Sequence, residues 1–87
     1  MAYGLVLTRA ARRDLDRLPR EVLESVDPTI LALAHNPRPF GSEKLQGFEG
    51  LYRIRVGRYR ILYAIDKAAA IVTIARVAHR KNVYRVK

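Results

Sequence analysis

The sequence predicts an α+β fold of order β-α-α-β-β-β, with two N-terminal helices packed on a small, mostly antiparallel sheet and a short basic C-terminal tail or helix. Three observations carry this. Two stretches near the N-terminus repeat apolar residues at helical spacing. Three stretches between 51 and 78 are rich in Ile, Val and Tyr, the composition of half-buried strands. The 87 residues, 49% of them hydrophobic, suffice for one small core and suit a single domain over 1–87.

Each element follows from its residues. Residues 2–7 (Ala-Tyr-Gly-Leu-Val-Leu) form a short strand. Thr8 is placed to cap the helix that follows. Over 9–18, Ala11, Leu15 and Leu18 recur at i, i+4, i+7, and Arg12, Arg13, Asp16 and Arg17 take the other side. Pro19 stops that helix and suits the first turn of a second, whose stripe is Val22, Val26, Ile30 and Leu33. Pro28 interrupts this stripe. It either kinks one helical rod or starts a new helix with Asp27 as its cap; a kink or tight break within one rod is the simpler outcome. Asn36-Pro37 ends the helix, because the residue before proline avoids the helical region. Residues 36–44, with their Pro, Gly, Ser and Asn, form a loop. Strands follow over 51–56, 59–66 and 70–78. Gly57-Arg58 suits a two-residue type II′ hairpin turn, with glycine first. Asp66-Lys67-Ala68-Ala69 makes the second turn, and residues 79–87 are a basic tail.

Composition removes several functions. With no cysteine there is no disulfide framework, thiolate nucleophile or Cys-based zinc site. His35 and His79 are a poor metal set, so neither metal nor other cofactor is expected. No apolar run approaches the roughly 18–20 residues of a membrane span, and no signal-peptide core is present, so a cytoplasmic protein is expected. Walker, nucleophile-elbow and dinucleotide motifs are absent.

Charge is more informative. Residues 1–49 hold seven Lys/Arg and seven Asp/Glu, whereas 50–87 hold ten Lys/Arg and one acid, Asp66. The whole net charge of +9 lies in the second part. Arg outnumbers Lys thirteen to four, and arginine is the cation suited to bidentate phosphate contacts. A polyanion is the natural partner; a merely solvated basic surface is the plain alternative.

The turn dictates where these cations go. With Gly57 and Arg58 in the loop, Val56 opposes Tyr59, Arg55 opposes Arg60, Ile54 opposes Ile61, Arg53 opposes Leu62 and Tyr52 opposes Tyr63. Side chains alternate across a strand. Tyr52, Ile54, Val56, Tyr59, Ile61 and Tyr63 therefore face the helices, and Arg53, Arg55 and Arg60 share the opposite face with Leu62. Directly opposed arginines cost a few tenths to about 1 kcal/mol, so this face reads as an anion site. The tail adds Arg76, His79, Arg80, Lys81, Arg85 and Lys87 with no acid. A helical turn over 80–86 would put Arg80 and Tyr84 on one side, a cation and an aromatic ring for a phosphate and an unpaired base.

RNA supplies its own nucleophile, the 2′-hydroxyl, so metal-independent cleavage needs a proton acceptor, cations for the phosphorane and a proton donor for the leaving oxygen. Arginine is a poor acceptor. His79 and Tyr84 are the tail residues able to shuttle protons. No carboxylate lies between Arg53 and Arg60 in sequence. Tyr84 is favoured as stacking platform and proton carrier, with His79 second. Lys44, Arg58, Arg76, Lys81 and Arg85 are further candidates for RNA contact.

The opening Leu-Val-Leu-Thr-Arg-Ala-Ala-Arg-Arg-Asp-Leu, the Asn-Pro-Arg-Pro stop, Lys44-Leu45-Gln46-Gly47, the run Tyr52 to Tyr63 and the closing Arg76 to Tyr84 together resemble the RelE/ParE superfamily of type II toxin–antitoxin toxins, on the RelE side. The resemblance spans essentially the whole chain. It implies a compact α+β fold, an mRNA endonuclease acting in the ribosomal A site, and inhibition by a wrapping, acidic RelB-like antitoxin. It also implies catalytic roles for Arg53, Arg55, Arg60, Arg80 and Tyr84. Some members carry lysines where this chain has Arg53 and Arg55. That departure leaves the base open and raises the standing of His79. A ParE-like gyrase poison and a non-catalytic basic RNA-binding homologue are the alternatives.

Overall fold

The computed structural model describes residues 2–47 and 50–79. Its elements are β1 (Gly4–Leu7), α1 (Arg9–Arg17), α2 (Arg20–Leu33), β2 (Glu43–Lys44), β3 (Leu51–Val56), β4 (Tyr59–Asp66) and β5 (Ile71–His79). The strands form one sheet in the order β1-β5-β4-β3-β2. β1 runs parallel to β5 and the other neighbours are antiparallel. The expected α+β architecture holds, with one strand more than expected. Glu43 and Lys44, assigned to the 36–44 loop, pair with Arg53 and Tyr52. A two-residue strand is too short to carry an alternating pattern.

The core lies between the helices and one face of the sheet. Ala11 of α1, Val26, Ile30 and Leu33 of α2, and Ile54, Ile61, Tyr63, Val72, Ile74 and Val77 of the strands are buried together. The helical stripes are those the spacing predicts; Leu15, Leu18 and Val22 pack at the margin. Thr8 caps α1 by accepting from the Ala11 N–H at 3.0 Å. α2 is one helix with Pro28 inside it, so Asp27 starts no new helix. The second turn runs through Ala70, whose φ is +56°. β5 therefore begins at residue 71 rather than 70 and keeps His79 as its last residue, not the first of a tail.

α1 also closes a sheet edge. β1 pairs with β5 only as far as Ile74, leaving backbone groups farther along β5 without a strand partner. The Thr8 hydroxyl donates to the Ala75 C=O at 2.8 Å. Asp14 accepts from the Val77 N–H at 2.8 Å and holds the Arg76 guanidinium at 2.8 and 3.0 Å. Buried backbone groups must find partners, and here side chains of one helix replace a strand.

The loop after α2 is held as well. The buried Tyr63 hydroxyl donates to the Pro37 C=O at 2.7 Å. Burial pushes the Tyr63 pKa above its ordinary value, while a Ser42 hydrogen bond pulls it back in part.

Two stability measurements test these ties. Asp14→Ala is expected to cost about 1–3 kcal/mol in denaturant melts, because a part-buried amide and a guanidinium lose their acceptor; a variant as stable as the wild type would show that water replaces the clamp. The Tyr63 proton is held more tightly folded than unfolded, so its contribution is present below about pH 10 and is lost as pH rises through the raised folded value. Tyr63→Phe should cost about 1 kcal/mol near neutrality and flatten this alkaline loss; an unchanged alkaline slope would exclude Tyr63 as its source.

Candidate functional site

The hairpin between β3 and β4 sets the site. Gly57 has φ +59° and Arg58 keeps a negative φ, which is the type II′ pattern. The register is the one the turn dictates: Arg55 lies opposite Arg60, and Arg53 opposite Leu62. Ile54, Ile61 and Tyr63 are buried under the helices, and Tyr52 stacks on Tyr63 with centroids 5.9 Å apart. The other face carries the arginines. Leu62 is buried there yet stands outside the core cluster, in register between Arg53 and Arg76.

Arg53, Arg55 and Arg60 line one cleft of about 230 Å³ together with Gly41 and Glu43. Glu43 is the residue that sequence reasoning missed. β2 sets it directly opposite Arg53, and its Oε2 lies 3.3 Å from Arg53 Nη2. The Glu43 side chain is 66% exposed and that of Arg53 is 25% exposed. The carboxylate is thus open to solvent, and a bridge with one exposed partner contributes little to stability, about 0–1 kcal/mol. The only signal for Glu43 was its place just before a strand-rich segment, ten residues ahead of Arg53.

The remaining expected site residues are placed differently. His79 pairs with Tyr59, and the two rings meet edge to face with centroids 5.4 Å apart. Directly paired residues share a face, so His79 stands on the helix side with Tyr59, across the sheet from the cleft. Arg76, expected as an RNA contact, is turned to Asp14, which raises its already high pKa through hydrogen bonding. It serves the α1–β5 edge. Arg58 lines a separate cleft of about 250 Å³ with Val22 and Tyr59. Lys44 is exposed and in register with Tyr52, away from the arginine face. Arg80, Lys81, Tyr84 and Arg85 lie outside the described residues.

The arrangement is a shallow cationic cleft with one carboxylate on its wall, built at an exposed face of a sheet whose other face is core. A family model for the ParE toxin of the type II toxin–antitoxin system parDE matches residues 5–84. The chain belongs to the RelE/ParE superfamily of type II toxins. It is 37% identical over 86 residues to the toxin RelG of Mycobacterium tuberculosis, covering 98% of this chain and 99% of that one. Its fold is similar to the toxin–antitoxin complex RelBE2 from Mycobacterium tuberculosis, at TM-score 0.79 and 36% identity, covering 92% of this chain and 100% of that chain. It is also similar to the archaeal RelE–RelB complex from Pyrococcus horikoshii, at TM-score 0.80 and 26% identity, over 92% of this chain and 97% of that one.

In this RelE/ParE-family toxin the opposed Arg55 and Arg60 are a local cost. Arg55→Thr is expected to keep or raise stability by a few tenths to about 1 kcal/mol, since it removes a like-charge pair and adds a β-branched residue. The same variant should bind phosphate-rich ligands more weakly. Thermal melts and phosphate titration check both. A clear fall in melting temperature would mean that Arg55 is structural.

Proposed function

We propose that this toxin is a metal-independent endoribonuclease that cuts mRNA, in the ribosomal A site, and so inhibits translation. The observation that carries the reading is the convergence of Arg53, Arg55 and Arg60 with Glu43 on one cleft. Three cations with one carboxylate between them suit a phosphate, and RNA brings the nucleophile.

In this reading a scissile phosphate enters among the three guanidinium groups, and Arg53 exchanges Glu43 for a phosphate oxygen. Glu43 then takes the proton of the 2′-hydroxyl. The 2′-oxygen forms a bond to phosphorus, the bond to the 5′-oxygen breaks, and that oxygen takes a proton from water or from the Tyr84 hydroxyl as it leaves. The products are a 2′,3′-cyclic phosphate and a 5′-hydroxyl. Arg53, Arg55 and Arg60 stabilise the charge of the phosphorane. Glu43 is the first candidate for the base in this reading, ahead of Tyr84 and of His79, because it shares the cleft and His79 faces the helices. Arg80 and Tyr84 keep their expected roles as a further cation and a stacking or proton-carrying ring. An acidic RelB-like antitoxin is the proposed protein partner. Relatives of the same fold are complexes of RelE with RelB, and the basic half of this chain favours an acidic partner. Among the described residues no helix is long and apolar enough to cross a membrane, and the ribosome and mRNA set a cytoplasmic site of action.

The ParE name of the matching family model keeps a gyrase-directed toxin as the competing reading. Primer-extension mapping of cellular mRNAs after induction separates the two: cuts within translated codons support RNA cleavage, whereas intact mRNA with trapped gyrase–DNA complexes would sink it. Arg60→Ala is expected to lower cleavage about 10²–10³-fold, and Glu43→Gln about 10²–10⁴-fold. Both should change stability by less than about 0.5 kcal/mol, as surface substitutions do. Full growth arrest by a double Glu43→Gln, Arg60→Ala variant would remove the cleft from the chemistry.

A further inference from the structure

The loop between α2 and β2 passes from the helix layer to the arginine face, and one ring on it is fully exposed. Phe40 has no protein surface against it. It is nonetheless held in place. The Ser42 N–H donates to the Pro39 C=O at 3.0 Å, and Gly41 has φ +94°. These are the marks of a type II turn, with Phe40 at its second position and glycine where a positive φ is required. Upstream, the Tyr63 hydroxyl binds the Pro37 C=O and the Asn36 side chain accepts from the Arg38 N–H at 3.2 Å. Pro37 and Pro39 restrict φ at two of the four positions before Gly41.

A single exposed apolar residue is ordinary on a protein surface. The neighbourhood of Phe40 is not. Its chain neighbour Gly41 lines the cleft with Arg53, Arg55, Arg60 and Glu43, about 3.8 Å away along the Cα trace. A Cβ added at Gly41 would meet nothing within 4 Å, so the backbone is open at the point where it enters the cleft. An exposed aromatic next in the chain to a cationic cleft is the pairing with which single-stranded nucleic acid is held, the backbone by charge and the base by stacking. Because the backbone that carries the ring is already held, only the side-chain rotamer has to be fixed when a base lands on it.

We propose that Phe40 is a nucleobase-stacking platform at the rim of the arginine cleft, taking an unpaired base of an RNA strand whose phosphate lies among Arg53, Arg55 and Arg60. The inference rests on the RNA-cleaving reading and adds a base subsite to it. It makes the preferred substrate single-stranded, since a paired and stacked base cannot offer its face.

The chain contains no tryptophan, so Phe40→Trp places a single reporter on the turn. The free full-length protein is titrated at low salt with two short 2′-O-methyl RNAs, which cannot be cut. One carries bases; the other has the same backbone with abasic residues. The indole emission of the Phe40→Trp variant is expected to change with the first and not with the second. Phe40→Ala should weaken the base-bearing strand about 5- to 150-fold, the range that one base–aromatic stack is worth. It should leave the abasic strand unchanged, and Phe40→Tyr should restore binding. Arg60→Ala should weaken both strands alike. Equal binding of both strands by Phe40→Ala and wild type, with loss only in Arg60→Ala, would overturn the platform and leave the cleft reading intact. Intact RNA binding by Phe40→Ala with a weakened antitoxin complex would overturn it in favour of a protein contact. No binding of either strand by the wild type would overturn the platform on free RNA, whereas the cleavage reading stands or falls separately on the mRNA mapping.

Discussion

The register of the β3–β4 hairpin governs the chemistry of this molecule. Side chains alternate with period two, so a slip of one residue would exchange the two faces. Ile54, Ile61 and Tyr63 would lose the helices, and Arg53, Arg55 and Arg60 would be driven into an apolar core, where unpaired charges are prohibitive. The two-residue turn at Gly57-Arg58 and the buried apolar row enforce the same pairing, one from local backbone geometry and one from burial. With both in agreement, the arginines are held on the open face despite the repulsion between Arg55 and Arg60. The scaffold supports a cluster of like charge that would not assemble by itself.

Each long edge of the sheet is managed by different means. On one side α1 reaches over β5, and Thr8 and Asp14 take the groups that β1 leaves unpaired. On the other, the short β2 covers β3 and brings one carboxylate to the cationic face. The first device is structural and consumes Arg76, a cation that its register position beside Leu62 would otherwise give to the arginine face. The second contributes little stability, because the Glu43 carboxylate of the Glu43–Arg53 bridge is largely exposed, and it leaves that carboxylate on the wall of the arginine cleft.

The cleft is lined by three arginines and one carboxylate, which suits a phosphate-bearing polyanion. Affinity would come from charge and be weakened by salt, and discrimination would have to come from groups outside the arginines. The loop carrying Phe40 offers such a group, tied to the core through Tyr63 and to the cleft through Gly41. One chain segment thereby links the buried aromatic stack of Tyr52 and Tyr63 with the solvent-facing site.

What the sequence by itself determined was everything local. The helical stripes, the Thr8 cap, the type II′ turn and the hairpin register all depend on residues within a few positions of one another, and period and turn chemistry report them directly. The arginine face followed from that register. Tertiary structure alone decided the rest. Asp14 meets Arg76 and Val77 across more than sixty residues, and nothing local distinguishes it from Asp16 on the same helix or gives a sign of its partner. Glu43 joins the cleft through a strand of two residues, below the length at which alternation is visible. His79 reads as part of a basic tail, yet β5 extends to include it, and pairing with Tyr59 turns it to the helix side. Pro28 does not divide α2, because Val26, Ile30 and Leu33 bury the helix on either side of it. At Pro28 that burial outweighed a local helix penalty of about 3 kcal/mol; at Asp14, Glu43 and His79 the deciding contacts join segments far apart in the chain, where local pattern carries no information.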